Sequence, residues 1–329
     1  MAGSYREINY SLRPAKSSER KMLVEAMRRL SVFDKIENYG YIGFGSAYFS
    51  DFSLFHRLLG INDMISIEKE VDNSERFIFN KPFACIDIKF GLSEYVLPEL
   101  SWANKKIVWL DYDDPLNSTM LIDLNTFMTS AKPGSMFIIS FNAQPASAQG
   151  EPDEIKKVRL DELEKRIGTT RVPVGTDGSD LSLGKLPKVY HKIVSDEIDE
   201  ALSYKNIGLH GENKLLFKQL FNFIYKDGAQ MQTIGGMLLN NEQLSQFKNA
   251  NFQDLNFVRD EDSFFKIDVP NLTFREISHL DSKLHSECSM ETGEVKPRSE
   301  LLSTGIPPSD IRKYVNIYRY FPTFAEALF

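Results

Sequence analysis

The chain has 329 residues, 42% hydrophobic and 26% charged, with a formal net charge of −7, so it can hold one large domain or two ordinary ones. No apolar run approaches the ~18 residues of a membrane helix, and the acidic balance argues against a general nucleic-acid coat. Cys85 and Cys288 are far apart and outside any C-x-x-C pair, which excludes a disulfide framework and a cysteine zinc site and fits a reducing cytoplasm.

The opening MAGSYREINY has no apolar core, so no secretory signal is expected. Residues 1–35 carry eight Lys/Arg, Arg6 among them, against four acids, which makes residues 1–38 a basic helical segment. Ser17 or Ser18 can cap a helix with Met22, Leu23, Ala26, Met27 and Leu30 at helical spacing. Its cations read either as a solvated face or as a contact for an anionic partner. Arg13, Lys16, Arg20 and Lys21 are the side chains that would meet a phosphate-bearing substrate or nucleic acid.

Next come an apolar strand, GYIGF, and a helix from about Ser50 with Phe52, Phe55, Leu58 and Leu59 on one face. DMISIE (63–68), FACIDI (83–88), KKIVWLDYDDP (105–115) and MFIISFNA (136–143) continue the strands, with STMLIDLNTFM helical between the last two. Such near-continuous apolar runs, alternating with helices, predict a doubly wound, mainly parallel α/β sheet covered on both faces. Residues 169–190 read as an insertion rich in glycine, proline and short polar residues, between helical stretches at 153–166 and 188–205. Residues 215–239 contain two β-like runs around Asp227-Gly228, a hairpin signal. Residues 241–329 form a mostly helical C-terminal extension, with Asn271 or Thr273 as a cap and a stop at Pro322.

In an open α/β sheet ligands bind beyond the carboxyl ends of the strands, so the first strand-to-helix turn, with Gly43 and Gly45, is the candidate cradle. A dinucleotide site would need a third small residue where Tyr48 stands, which disfavours a nicotinamide oxidoreductase. Glu68 ends the second strand, where a carboxylate can accept both hydroxyls of a ribose or simply terminate a strand. DYDDP places Asp111, Asp113 and Asp114 at the end of the fourth strand. They read as base or hydrogen-bond partners for an acceptor, as a magnesium or calcium ligand group, or as a capping turn for the helix at 117–129. No metal site is assigned. The five histidines lack ligand spacing, with His56 read as structural and His279 and His285 as surface residues. There is no G-x-S-x-G and no P-loop motif.

The succession YIGFGS, MISIE, WLDYDDPL and GSMFIISFNA resembles the motif order of class I S-adenosylmethionine-dependent methyltransferases, over about residues 39–143 plus the hairpin. The whole chain, the opening NYSLRPAKSSERKM included, is similar to a bacterial group of O-methyltransferases. The resemblance implies a Rossmann-like core over residues 39–240 with a seven-stranded sheet, and S-adenosylmethionine as cofactor. Gly43, Phe44, Gly45 and Ser46 would then surround the methionine and ribose portion, Glu68 would hold the ribose, and Gly91 and Leu92 would face the adenine. Asp111 to Pro115 would line the place where donor and an unknown acceptor meet, roofed by the basic helix and the 169–190 loop. The family usually has an acid two residues before the first glycine, where this chain has Tyr41, so a silent, scaffold-like member is the alternative. The loop Asp-Asp-Pro-Leu also lacks the second proline and the aromatic of amino-methylating relatives.

Overall fold

The apolar segments of the first half become parallel strands because helices cover both of their faces and leave them no polar side. They are β1 (Gly40–Gly43), β2 (Asp63–Glu68), β3 (Ile86–Phe90), β4 (Lys106–Pro115) and β5 (Ser135–Asn142) in a computed structural model of the protein. It describes residues 13–284, 288–291, 294–297 and 305–322; Arg6 and His285 lie outside these, and the side chain of Cys288 is also outside. The hairpin follows as β6 (Leu215–Lys226) and β7 (Gln230–Asn240), each antiparallel to its neighbour β7, β6 or β5.

The strand order is β3-β2-β1-β4-β5-β7-β6-β8. The expected seven-stranded sheet is therefore corrected to eight strands. The addition is β8 (Phe265–Ile267), which pairs parallel with β6 from Phe223↔Phe265 to Tyr225↔Ile267. Three residues carry too little periodicity to be read as a strand, and only the exposed edge of β6 makes them one. A separate two-stranded ribbon, β9 (Cys288–Glu291) and β10 (Glu294–Pro297), lies within the stretch expected to be mostly helical.

Two apolar layers sandwich the sheet. On one face, α1 (Pro14–Arg28) and α2 (Ser50–Leu59) pack Met22, Leu23, Met27, Phe52 and Phe55 onto Tyr41, Trp109, Ile138 and Phe223. Phe252, Phe257 and Ile317, from the segment after 241, belong to the same layer. The first helix and the C-terminal segment thus share one core with the strands. On the other face α5 (Ser118–Ser130), α6 (Pro152–Ile167) and α7 (Leu186–Lys205) cover Ile42, Val108, Leu110 and Ile139.

Thr273, an expected cap, forms a capping box with Glu276 at α9 (Phe274–Lys283). Asn117, rather than an aspartate of the preceding turn, caps α5 by accepting from the Thr119 and Met120 amides. The first helix begins at Pro14 after Arg13, so Ser17 and Ser18 lie inside it and do not cap it. His56 packs its ring on Phe83 and contacts the Ile61 carbonyl at 3.0 Å. Among the described residues, no helix is long and apolar enough to cross a membrane.

Candidate active site

Strand β1 lies between β2 and β4. The chain leaves β1 into α2 on one face and leaves β4 into α5 on the other. In an open α/β sheet such a reversal is where a ligand-binding crevice is expected, at the carboxyl ends of β1 and β4. The turn 44–49 that lines it is tightly wound. Ser46 and Phe49 both adopt left-handed backbone conformations, at φ of 50° and 46°, and the Phe49 amide bonds back to the Gly45 carbonyl at 2.7 Å. For a bulky residue such as phenylalanine this conformation is strained, and such strain is retained where the surrounding structure enforces it. Here the ring of Phe49 is fully buried against Phe52.

Both glycines of the turn answer to close neighbours. A Cβ on Gly45 would stand 2.6 Å from the Phe49 ring and from Ser66 Oγ. A Cβ on Gly43 would stand 2.5 Å from the Tyr41 hydroxyl. The glycines therefore let the turn close onto β2 and let Tyr41 lean along its own strand.

Glu68, at the end of β2, is turned inward and only 7% exposed. Its Oε1 accepts from Ser66 Oγ at 2.9 Å, and Ser66 Oγ in turn accepts from the Gly45 amide at 3.0 Å. Burial pushes the carboxyl up to about 7, against the lowering effect of Ser66 and the Gly45 and Ser46 amides. Gly91, following β3 at φ 147°, sends its amide to the Glu68 carbonyl at 3.0 Å, while Leu92 is exposed. The carboxylate of Glu68 and the turn amides thus meet at one end of the crevice.

At the other end stands Asp111. Strand β4 continues through Asp111 to Pro115, with a register shift between them, so Asp113 and Asp114 lie in an exposed strand extension. Asp111 is the one of the three whose side chain is largely covered. Lys16 Nζ lies 2.7 Å from its Oδ1, 2.7 Å from Glu19 Oε2 and 3.1 Å from the Tyr225 hydroxyl, and sits over the Trp109 ring at 4.2 Å. Burial raises the Glu19 carboxyl, against the pull of Lys16. A hydrogen-bonded row then runs inward from Glu19 to Thr233, to Ser140 at 2.7 Å and to the Trp109 indole at 2.9 Å.

These contacts correct the reading of α1 as a solvated basic face. Lys16 is fully buried and paired with Asp111 and Glu19, and Arg20 is buried and paired with Asp51. Lys21 donates to the Phe321 carbonyl at 2.9 Å, and Arg13 is half-buried. The set expected to meet an outside anion is spent largely on internal partners, because an amphipathic helix this apolar docks against the sheet and carries its cations inward.

Sequence reasoning missed Glu19, Asp51, Tyr225 and Thr233. Only Glu19 had a local signal, its i,i+3 spacing from Lys16. It also missed Asp123, a fully buried acid of α5. Asp123 accepts from Ser93 at 2.5 Å and from Tyr112, and burial lifts it to about 6. Among the described residues, no group of three or more His, Cys, Asp or Glu could hold a metal.

The family model described as "Putative O-methyltransferase" matches residues 8–329. No curated protein matches the chain in sequence. Solved structures overlap it in part. Human N-acetylserotonin methyltransferase with S-adenosylmethionine is 15% identical with a TM-score of 0.32, over 68% of this chain and 55% of that one. PigF with S-adenosylhomocysteine is 14% identical at 0.34, over 68% and 64%. The Methanococcus jannaschii fibrillarin pre-rRNA processing protein is 12% identical at 0.37, over 63% and 69%. The chain thus spans little more than half of the human enzyme.

Proposed function

The chain belongs to this O-methyltransferase family, and from that premise we propose that it transfers a methyl group from S-adenosylmethionine to a hydroxyl-bearing acceptor. The observation that carries the reading is Glu68, a buried carboxyl aimed at the turn amides beside the crevice. Ser66 and the Gly45 and Ser46 amides already donate to this carboxyl, yet burial still disfavours its ionised form. Two ribose hydroxyls would add donors to the charged form, so the residues present suit an adenosyl group.

Glu68 would hold the ribose, and Gly43, Phe44, Gly45 and Ser46 would border the methionine and ribose portion. Gly91 and Leu92 would face the adenine. When bound, the donor supplies an electrophilic methyl on a sulfonium. Asp111 would align the acceptor hydroxyl and take up its proton, while Lys16 holds that carboxylate in place. Asp113 and Asp114, exposed beyond it, would meet the acceptor rather than the donor. The acceptor enters where β4 extends into solvent, and the chain works as a soluble cytoplasmic enzyme.

Tyr41, at the position of the family's usual acid, favours a second reading in which the fold binds the donor without turning it over. Calorimetry with S-adenosylhomocysteine tests the shared part. Micromolar binding that Glu68→Ala weakens at least tenfold is expected, and no binding at millimolar ligand discards both readings. Methyl transfer abolished by Asp111→Asn separates the enzyme from the silent binder.

A further inference from the structure

Three acids, Glu19, Asp51 and Asp111, and two cations, Lys16 and Arg20, stand together between α1, α2 and the end of β4. Arg20 closes on Asp51, and that pair balances itself. Lys16 is shared, with its Nζ 2.7 Å from Glu19 Oε2 and 2.7 Å from Asp111 Oδ1. One ammonium cannot neutralise two carboxylates. Around this group lie Arg13, a further cation that bears on Tyr225, and Asp227, whose carboxylate accepts from the Ala15 and Lys16 amides. These add one charge of each sign, so the set stays one positive charge short.

The imbalance is centred on Glu19, whose side chain is fully buried. The Trp109 indole can only donate. With each hydroxyl giving one bond and receiving one, the row through Ser140 and Thr233 therefore ends by donating to Glu19 Oε1. Its Oε2 faces the Lys16 ammonium. Both oxygens meet donors, which is the environment of a carboxylate, while burial works against that charge. A cation nearby would relieve this conflict. Asp111 is the member of the set that ligands can reach, since its side chain is 18% exposed at the carboxyl end of β4.

We propose that Glu19, through the Lys16 it shares with Asp111, is a specificity-determining residue that makes the site prefer the cationic methyl donor to its neutral product. The inference rests on the proposed donor site. S-adenosylmethionine bears a sulfonium where S-adenosylhomocysteine has a neutral thioether, and that one positive charge is what the set lacks. Asp111, on taking the acceptor's proton, gains its own neutralising charge. The set then no longer favours a cation, and the thioether has no charge to hold it.

Calorimetry with three ligands tests it without any acceptor or turnover. They are S-adenosylmethionine, S-adenosylhomocysteine and sinefungin, an analogue with a protonated amine in place of the methylated sulfur. The wild type should bind both cations about tenfold more tightly than the thioether, the scale of one charge interaction across several ångströms of protein. Glu19→Gln keeps the shape and removes the charge, and should bring the three affinities to within about twofold of one another. The readout is a ratio within one protein, so a general loosening of the fold lowers all three affinities and leaves it unmoved. Wild-type binding of S-adenosylhomocysteine as tight as that of the cations overturns the proposal, and this result needs no variant to fold. A cation preference undiminished in Glu19→Gln overturns it too. If the wild type binds none of the three, the donor site itself is wrong.

Discussion

Lys16 on the first helix and Asp111 at the end of the fourth strand, 95 residues apart, meet at 2.7 Å with the lysine wholly shielded from water. The contact joins the N-terminal helix to the candidate acceptor side of the crevice. It also sets the electrostatics there, since Lys16 answers both Asp111 and Glu19.

Removing one member of a buried ion pair strands the other charge. Lys16→Ala leaves Asp111 and Glu19 facing each other across a cavity above Trp109, so unfolding free energy should fall by about 3–5 kcal/mol. Urea unfolding measures this. A loss under about 1 kcal/mol would show that Lys16 contributes little to holding α1 on the sheet.

Glu68 makes stability depend on pH. Its folded-state value of about 7 lies above the ordinary 4.5, so between these limits the folded chain holds a proton that the unfolded chain has lost. Stability is therefore greatest at the acid side of the window and declines as pH rises through 7, by up to ~3 kcal/mol. In Glu68→Gln the decline between pH 6 and 7 should vanish, while Asp123, raised to about 6, still contributes below that. Ribose binding favours the carboxylate, so affinity for S-adenosylhomocysteine should rise from pH 6 to pH 8; a flat profile would contradict the assignment of Glu68 to the ribose.

Gly45→Ala introduces a methyl group 2.6 Å from the Phe49 ring and from Ser66 Oγ. Something must move, and the expected cost is about 1–3 kcal/mol. Because Ser66 Oγ links the turn to Glu68, ligand affinity should fall as well. Thermal unfolding and calorimetry on the same variant read both effects, and an alanine variant indistinguishable from wild type in both would be the opposing result.

Lys16 and Arg20 are consumed by Asp111, Glu19 and Asp51, so α1 should show no strong affinity for polyanions. Fluorescence anisotropy with a single-stranded oligonucleotide should detect only weak binding. Tight binding that falls steeply with added salt would restore the anionic-partner reading of the basic segment.

The α/β class, the strands of the first half, the hairpin and the Thr273 cap were legible because each depends on neighbours in the chain. Apolar runs, turn residues and capping spacing act over a few positions. Gly43, Gly45 and Glu68 could be singled out for the same reason: each ends or follows a strand. The eighth strand could not be read, because three residues become a strand only when β6 offers them an open edge. Nor could the destination of the first helix. Its charges look identical in sequence whether they face water or the protein, and only packing against Trp109 and Tyr225 decides that Lys16 points inward to Asp111. Local residue patterns thus determined the elements of this protein, whereas tertiary structure decided which charges pair. Apolar spacing is settled within a single helix or strand, but a buried ion pair exists only once distant segments have excluded water together.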